Sequence, residues 1–266
     1  MENSGKIERS AGILMHISSL PSPFGIGTFG KTAYEFVDFV AQARHRYWQV
    51  LPLGPTTYGD SPYQSYSAFA GNPYFVDLEI LTDDGILDRN IYEDIDWGSG
   101  DYVDYEKVYN NRFTVLHEAY KNYRQKLSES RVKLAAGLPE YKKFDNFNKT
   151  NAYWLDDYAL FMALKWHFNQ KSWQDWDEDI KFRTQKGIQK YKELLADEIG
   201  FWKFVQYEFD KQWKKLKEYA NENNVDIIGD IPIYMGLDSS DVWADAGEFL
   251  LDENLTPVKV AGVPPD

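Results

Sequence analysis

Residues Ala11–Ser18 read AGILMHIS and residues Tyr47–Leu53 read YWQVLPL, and what lies between them decides the fold. Each is a short, mostly apolar run closed by turn residues, Pro21 and Pro23 after the first and Gly54-Pro55 after the second. Such runs predict strands of a parallel sheet that is covered on both faces. Between them Ala33, Phe36, Val37, Val40 and Ala41 fall at i, i+3, i+4, i+7 and i+8, the stripe of a helix with one buried side. Strand, helix, strand in this order is a βαβ unit, which makes the strands parallel and the crossover right-handed.

Outward from that unit, Thr56–Asn72 (TTYGDSPYQSYSAFAGN) is a long loop, and Asn72–Leu78 reads as a weak further strand. From Asp83 to Ala220 the pattern changes to long helices with charged faces, over Tyr105–Leu127, Ala152–His167 and Phe201–Ala220. A strand returns at Val225–Ile233 (VDIIGDIPI), its apolar run broken by Gly229-Asp230. The expected class is α/β. Residues 1–82 carry the first strands and a functional loop, 83–220 a helical insertion, and 221–266 a further strand. Counting the weak strand, the sheet reaches about half of what a closed eight-stranded barrel needs. The chain stops in the turn-rich VAGVPPD (Val260–Asp266), so the expectation is the N-terminal part of a longer protein.

The 266 residues carry a formal charge of −13, which opposes sequence-independent binding to nucleic acid or anionic lipid. No cysteine is present, which excludes disulfides, thiolate zinc sites, iron–sulfur clusters and thiol nucleophiles. No apolar run approaches the length of a membrane helix, and the polar start MENSGKIERS lacks a signal-peptide core, so a cytoplasmic location is expected. Aromatic residues make up 17% of the chain. They suit a large core, and they suit the flat faces of sugars.

Gly25–Gly30 (GIGTFG) matches G-x-G-x-x-G, but Pro21 and Pro23 intervene after the strand and no acidic residue follows at the ribose-binding distance, so it reads as a structural loop. The four histidines are scattered, without metal-ligand spacing, and no metal or cofactor is expected. His16 follows the first strand, where barrel enzymes gather their sites, and it reads either as a structural or as a site residue. Tyr58-Gly-Asp60-Ser61-Pro-Tyr63-Gln64 packs two rings, a carboxylate, a hydroxyl and an amide into one loop after a strand. Asp230 places a carboxylate at the end of the late strand, among apolar residues, and a buried carboxylate there needs a partner. Asp238, Asp241 and Trp243 follow directly. Together these groups at successive strand ends favour a carbohydrate site.

His16–Gly30 (HISSLPSPFGIGTFG), Gln49–Leu78, Gly229–Trp243 (GDIPIYMGLDSSDVW) and the terminal VAGVPPD resemble the amylomaltases, the bacterial 4-alpha-glucanotransferases. The resemblance implies a (β/α)8 barrel with helical insertions, in an enzyme that moves a 1,4-alpha-glucan segment to the 4-hydroxyl of glucose or another glucan. It implies a maltooligosaccharide or alpha-glucan as substrate. Tyr63 corresponds to the tyrosine under the sugar beside the scissile bond, with Asp60 and Ser61 in the same loop. Asp230 corresponds to an aspartate bonded to that sugar, Tyr58 to a position of a second glucan site, and Gly262–Pro265 to the start of a lid. The family's nucleophilic aspartate sits in an Arg-x-Asp-His stretch, which these 266 residues lack. The chain alone is therefore expected to be inactive. The alternative is a non-catalytic glucan-binding protein. A helical interaction domain built on 83–220 accounts for the helices but not for the loops.

Overall fold

Three short strands lie side by side in one parallel sheet: β1 (Gly12–Leu14), β2 (Tyr47–Gln49) and β3 (Asp226–Ile228), in that order across the sheet. The computed structural model describes residues 9–133 and 139–259. Gly12 pairs with Tyr47, and Tyr47 in turn with Asp226, so β2 is central. The helix α1 (Lys31–Gln42) makes the crossover from β1 to β2, with Ala33, Val37 and Val40 buried on the face that the sequence stripe marks. Trp48 of β2 is fully buried, packs edge-on against Phe36 of α1 at 5.0 Å and donates its indole N–H to the Met15 carbonyl at 2.7 Å.

The strands are shorter and less covered than their apolar runs suggest. Leu14 is 56% exposed, and β3 ends at Ile228 instead of continuing to Ile233. The reason is local. Asp230 turns its own carboxylate back onto the Ile231 N–H at 2.8 Å, and Pro232 has no N–H to give to a ladder. Ile231 and Ile233 are left exposed. The weak fourth strand is not one. Asn72 caps the Tyr74 N–H at 3.0 Å and Pro73 takes the first helical position, so Pro73–Phe75 winds into a 3-10 turn. Asp77 then caps α2 (Leu78–Asp83). The loop Gly25–Gly30 folds back on the segment after β1, with the Gly27 N–H on the Ser18 carbonyl at 3.2 Å. A Cβ on Gly27 would stand 1.8 Å from the Ile17 oxygen, so this glycine serves a close backbone approach.

The helical region comprises α3 (Tyr105–Lys133), α4 (Pro139–Thr150), α5 (Ala152–His167), α6 (Glu178–Lys181), α7 (Gln185–Leu194) and α8 (Ala196–Glu222), and the short α9 (Ser240–Ala244) follows β3. Many of the aromatic residues go into the packing between these helices. Phe113 of α3 meets Trp166 of α5 at 5.3 Å and Trp202 of α8 at 5.5 Å, for example. No helix among the described residues is long and apolar enough to cross a membrane.

The long helix α8 joins the helices to the sheet through two buried glutamines. Gln206 accepts from the Gly71 N–H at 2.7 Å and donates to the Gly71 carbonyl at 2.8 Å. Gln212 does the same for Asp77, at 2.7 and 3.2 Å. Each amide thus gives a loop residue the two hydrogen bonds that a strand neighbour would supply. Replacing Gln206 by leucine orphans a donor and an acceptor in a buried place, each costing about 1–3 kcal/mol. Gln206→Leu is therefore expected to lower unfolding free energy by about 2–5 kcal/mol in urea titrations. A loss within a few tenths would show that water satisfies Gly71.

Candidate functional site

The loop after β2 is a tight hairpin. The Thr57 N–H bonds the Gln64 carbonyl at 3.1 Å, the Asp60 N–H bonds the Thr57 carbonyl at 3.0 Å, and Thr56 bridges Ser65 in antiparallel fashion. Gly59 and Asp60 both take positive φ, at 99° and 54°, residue types that tolerate such a turn. Ser61 closes it, since its carbonyl accepts from the Gln64 N–H at 3.1 Å and its hydroxyl from the Tyr63 N–H at 3.3 Å. Ser61 is thus a turn-maker that presents Tyr63.

Tyr63 reaches across to the next strand's loop. Its hydroxyl donates to Asp230 Oδ2 at 2.8 Å, while Asp230 Oδ1 accepts from the Ile231 N–H. The pair joins the loops after β2 and β3, two adjacent parallel strands, at the C-terminal end where α/β barrels place their chemistry. Tyr63 is 45% exposed and Asp230 is half-buried, so the carboxylate is more open than its apolar neighbours suggested. The hydrogen bond to Asp230, followed by burial and the carboxylate's charge, raises the Tyr63 phenol above its ordinary 10.

His16 lies just past β1, at the same end of the sheet, but it is buried with its ring edge-on to Phe75 at 5.4 Å. Burial holds its pKa down at about 4, so it is neutral at physiological pH. Its Nδ1 has no partner among the described residues.

Tyr58 and Asp60 belong elsewhere. Tyr58 is 99% exposed at the hairpin tip. Both border a cavity of about 1120 Å³ between the hairpin and the helices, walled by Tyr74, Tyr105, Tyr109, Trp166 and Trp202. Burial raises the Asp60 carboxyl against the lowering hydrogen bond from Thr56, and burial followed by the Asp238 charge pushes the Tyr66 phenol up to about 12. The cavity therefore offers protonated phenols beside carboxylates. Neither Tyr63 nor Asp230 lines it. The sequence-predicted residues thus fall into two places, with one hairpin between them.

The acids after Asp230 serve the scaffold. Asp238 accepts from Lys165 at 2.6 Å and from the Trp173 N–H at 3.3 Å, and Asp241 accepts from the Ala68 N–H at 3.1 Å. Trp243 is buried, donates to the Ile180 carbonyl at 3.0 Å and stacks under Arg183 at 4.2 Å. Lys165, which sequence reasoning passed over, is 1% exposed and also donates to the Gln170 and Lys171 carbonyls. The signal was a lone charge inside the apolar run YALFMALKW. The expected lid start, Gly262–Pro265, lies outside the described residues.

The family model described as 4-alpha-glucanotransferase, glycoside hydrolase family 77, matches residues 15–266. The chain belongs to the 4-alpha-glucanotransferase family. It is 52% identical over 254 residues to the 4-alpha-glucanotransferase of Clostridium butyricum, covering 95% of this chain and 50% of that protein. It is 43% identical over 261 residues to that of Thermus thermophilus, covering 98% of this chain and 50% of the other. The amylomaltase of Streptococcus agalactiae in complex with acarbose superimposes with a TM-score of 0.88 at 41% identity, over 97% of this chain and 50% of that one. The chain thus spans about half the length of these relatives. Among its described residues, this member of the 4-alpha-glucanotransferase family has no group of three or more His, Asp or Glu placed to hold a metal ion.

Two titrations check this geometry. With ring-labelled tyrosine, NMR should show Tyr63 titrating above 10 in the wild type, and Asp230→Asn should move it back; an unmoved Tyr63 would mean that the contact is absent in solution. His16 protonates near 6.5 when unfolded and near 4 when folded, so between those values the unfolded chain binds the extra proton. The stability it confers, on the order of 3 kcal/mol, is complete above pH 6.5 and falls away as the pH drops towards 4. The stability gap between wild type and His16→Gln should accordingly shrink from pH 7 to pH 4.5 in urea titrations. A constant gap would place His16 in a wetter site.

Proposed function

We propose that this chain is the sugar-binding N-terminal half of a 4-alpha-glucanotransferase, which transfers a 1,4-alpha-glucan segment to the 4-hydroxyl of glucose or another glucan. The observation that carries this reading is the Tyr63–Asp230 hydrogen bond at the ends of adjacent strands, in a chain of that family. The bond fixes the ring from its hydroxyl end, so the ring is held ready to lie under a pyranose. The Asp230 oxygens keep lone pairs for sugar hydroxyls beyond the two hydrogen bonds they accept. His16, neutral and buried, supports the segment after β1 and can donate or accept one hydrogen bond at the same mouth. Tyr58, Asp60 and the cavity behind the hairpin form a second glucan-binding site in this reading.

The reaction is a retaining double displacement. It needs two carboxyl groups ~5–5.5 Å apart, one to attack the anomeric carbon and one to protonate the leaving oxygen. The nucleophile belongs to an Arg-x-Asp-His stretch that these 266 residues do not contain. In the complete barrel, β1 to β3 are the first strands and residues 83–220 are an insertion. Further strands and the lid then cover the apolar side chains of Leu14, Ile228, Ile231 and Ile233. Covering them dries the site, so that a sugar hydroxyl and not water accepts the glycosyl group. The setting is cytoplasmic maltodextrin use.

The open rings of Tyr58 and Tyr63 also fit a second reading, a glucan-binding protein without catalysis. Two measurements separate the two. The 266-residue chain alone is expected to produce no glucose from maltotriose above a blank; disproportionation would overturn the assignment of the catalytic carboxylates. Once the chain is joined to the remaining half of the family fold, transfer should appear, and in that form Tyr63→Ala should cut the rate about ten- to a hundredfold, or about 1–3 kcal/mol of barrier. The thermal midpoint should hardly change, because the ring is half exposed. A falling midpoint with unchanged activity of the folded fraction would make Tyr63 a packing residue, and no transfer at all would favour the binding protein.

A further inference from the structure

We propose that Phe69, Tyr153 and Trp154 form a surface platform that binds an extended alpha-glucan chain, apart from both the Tyr63–Asp230 pair and the cavity; the choice of ligand rests on the glucan reading above. Phe69 comes from the segment after the hairpin and the other two from the first turn of α5. The Phe69 and Tyr153 rings stand nearly perpendicular, 86° apart with centroids at 5.7 Å, while Phe69 and Trp154 lie within 17° of parallel at 6.2 Å. Phe69 is 55% exposed and Tyr153 is 72% exposed. Grouped apolar surface left open in this way marks a binding place more often than chance packing does.

The group is rigid. The Phe69 N–H is held by the Ser67 hydroxyl at 3.1 Å, the preceding Ala68 N–H by the Asp241 carboxylate, and the Trp154 indole donates to Asn151 Oδ1 at 3.3 Å. Rings fixed before binding lose little entropy on binding. Asp156 follows Tyr153 by three residues on the same face of α5, partly open and paired with Lys203. A ring edged by a carboxylate suits a pyranose, whose C–H face stacks while its hydroxyls donate. It is the same combination that Tyr63 and Asp230 present. The net charge of −13 opposes phosphate-bearing ligands.

Position extends the argument. Met162, Lys165 and Trp166, further along α5, line the cavity. At ~1.5 Å per residue they lie about 12–18 Å along the helix from Trp154. A glucan of several sugars can span that distance, so the platform suits long chains.

The test is native electrophoresis of the chain in gels with and without glycogen, beside a maltotriose titration. Glycogen should retard the wild type. The double variant Phe69→Ala/Tyr153→Ala should need about ten times more glycogen for equal retardation, the scale of losing about 1.4 kcal/mol of contact. Its thermal midpoint and maltotriose affinity should be unchanged, and Tyr153→Trp should retain the retardation. A double variant retarded like the wild type, or a wild type not retarded at all, overturns the platform. So does a double variant that shifts from dimer to monomer in sedimentation without glucan, because a second copy would then be the occupant. Tyr63→Ala keeps the two claims apart: an unchanged transfer rate of that variant in the joined form counts against the Tyr63–Asp230 site and leaves the platform standing.

Discussion

The amide of Gln206 paired with both backbone groups of Gly71, and that of Gln212 with those of Asp77, is the constraint from which the rest of the architecture follows. A loop crossing buried space has to satisfy its peptide groups, and residues 71–77 have no strand beside them to do so. One helix supplies two side-chain amides, six residues apart, as substitutes. The same helix then ends at Glu222 and leads directly into β3. The element that fixes the exit of the β2 loop is thus the element that sets where Asp230 emerges. The Tyr63–Asp230 contact, across 167 residues of sequence, is a local consequence of how α8 lies.

The segment from Asp230 to Asp241 is fastened to the β2 loop at several places. Tyr63 holds Asp230, the Tyr66 carbonyl takes the Ser240 N–H at 2.8 Å, and Asp241 takes the Ala68 N–H. In the middle, buried Lys165 holds Asp238 and two carbonyls at once, which supplies the partners a dehydrated ammonium requires. Removing that ammonium would leave the Asp238 carboxylate and two carbonyls short of a donor. Asp238 and Asp241, which with Asp230 favoured a carbohydrate site in the sequence, therefore build a brace, and Asp230 is the acid of the group that Tyr63 holds.

The βαβ unit was legible because its signals are local: a 3.6-residue stripe in α1, apolar runs either side and turn residues to end them. The helix at Ala152–His167 was legible to the residue. The strand lengths were not, because Asp230 and Pro232 interrupt a run that is apolar enough to continue. The 3-10 turn at Pro73–Phe75 was hidden by residues of high strand preference, and the Asn72 cap prevailed over them. The hairpin's composition marked it as a candidate site, and the resemblance assigned its roles. That Tyr63 turns to Asp230 while Tyr58 and Asp60 border the cavity, and that Lys165 forms a brace, depend on contacts between segments far apart in sequence, which no periodicity encodes.

The aromatic content reconciles the two readings it first allowed. Rings such as Trp48, Trp202 and Trp243 are fully buried, and they meet Phe36, Tyr158 and Trp176 respectively edge to face. That lattice is a stability device, and it says nothing of ligand. Nine rings are left open among the described residues, and four of them gather together: Tyr58 and Tyr63 on the hairpin, Phe69 just beyond it, and Tyr153 on the helix beside it; the others are Phe39, Tyr102, Tyr109, Phe182 and Tyr234. Leaving them wet forgoes burial energy of about 1.5–3 kcal/mol for a ring the size of phenylalanine. The core had room for many rings of the same kind, so shortage of buried space is not the reason. Three of the four lie within twelve residues of one loop, and the fourth touches that loop's Phe69. Open rings gathered about one hairpin, with carboxylates near them, are the arrangement on which the proposed glucan reading rests.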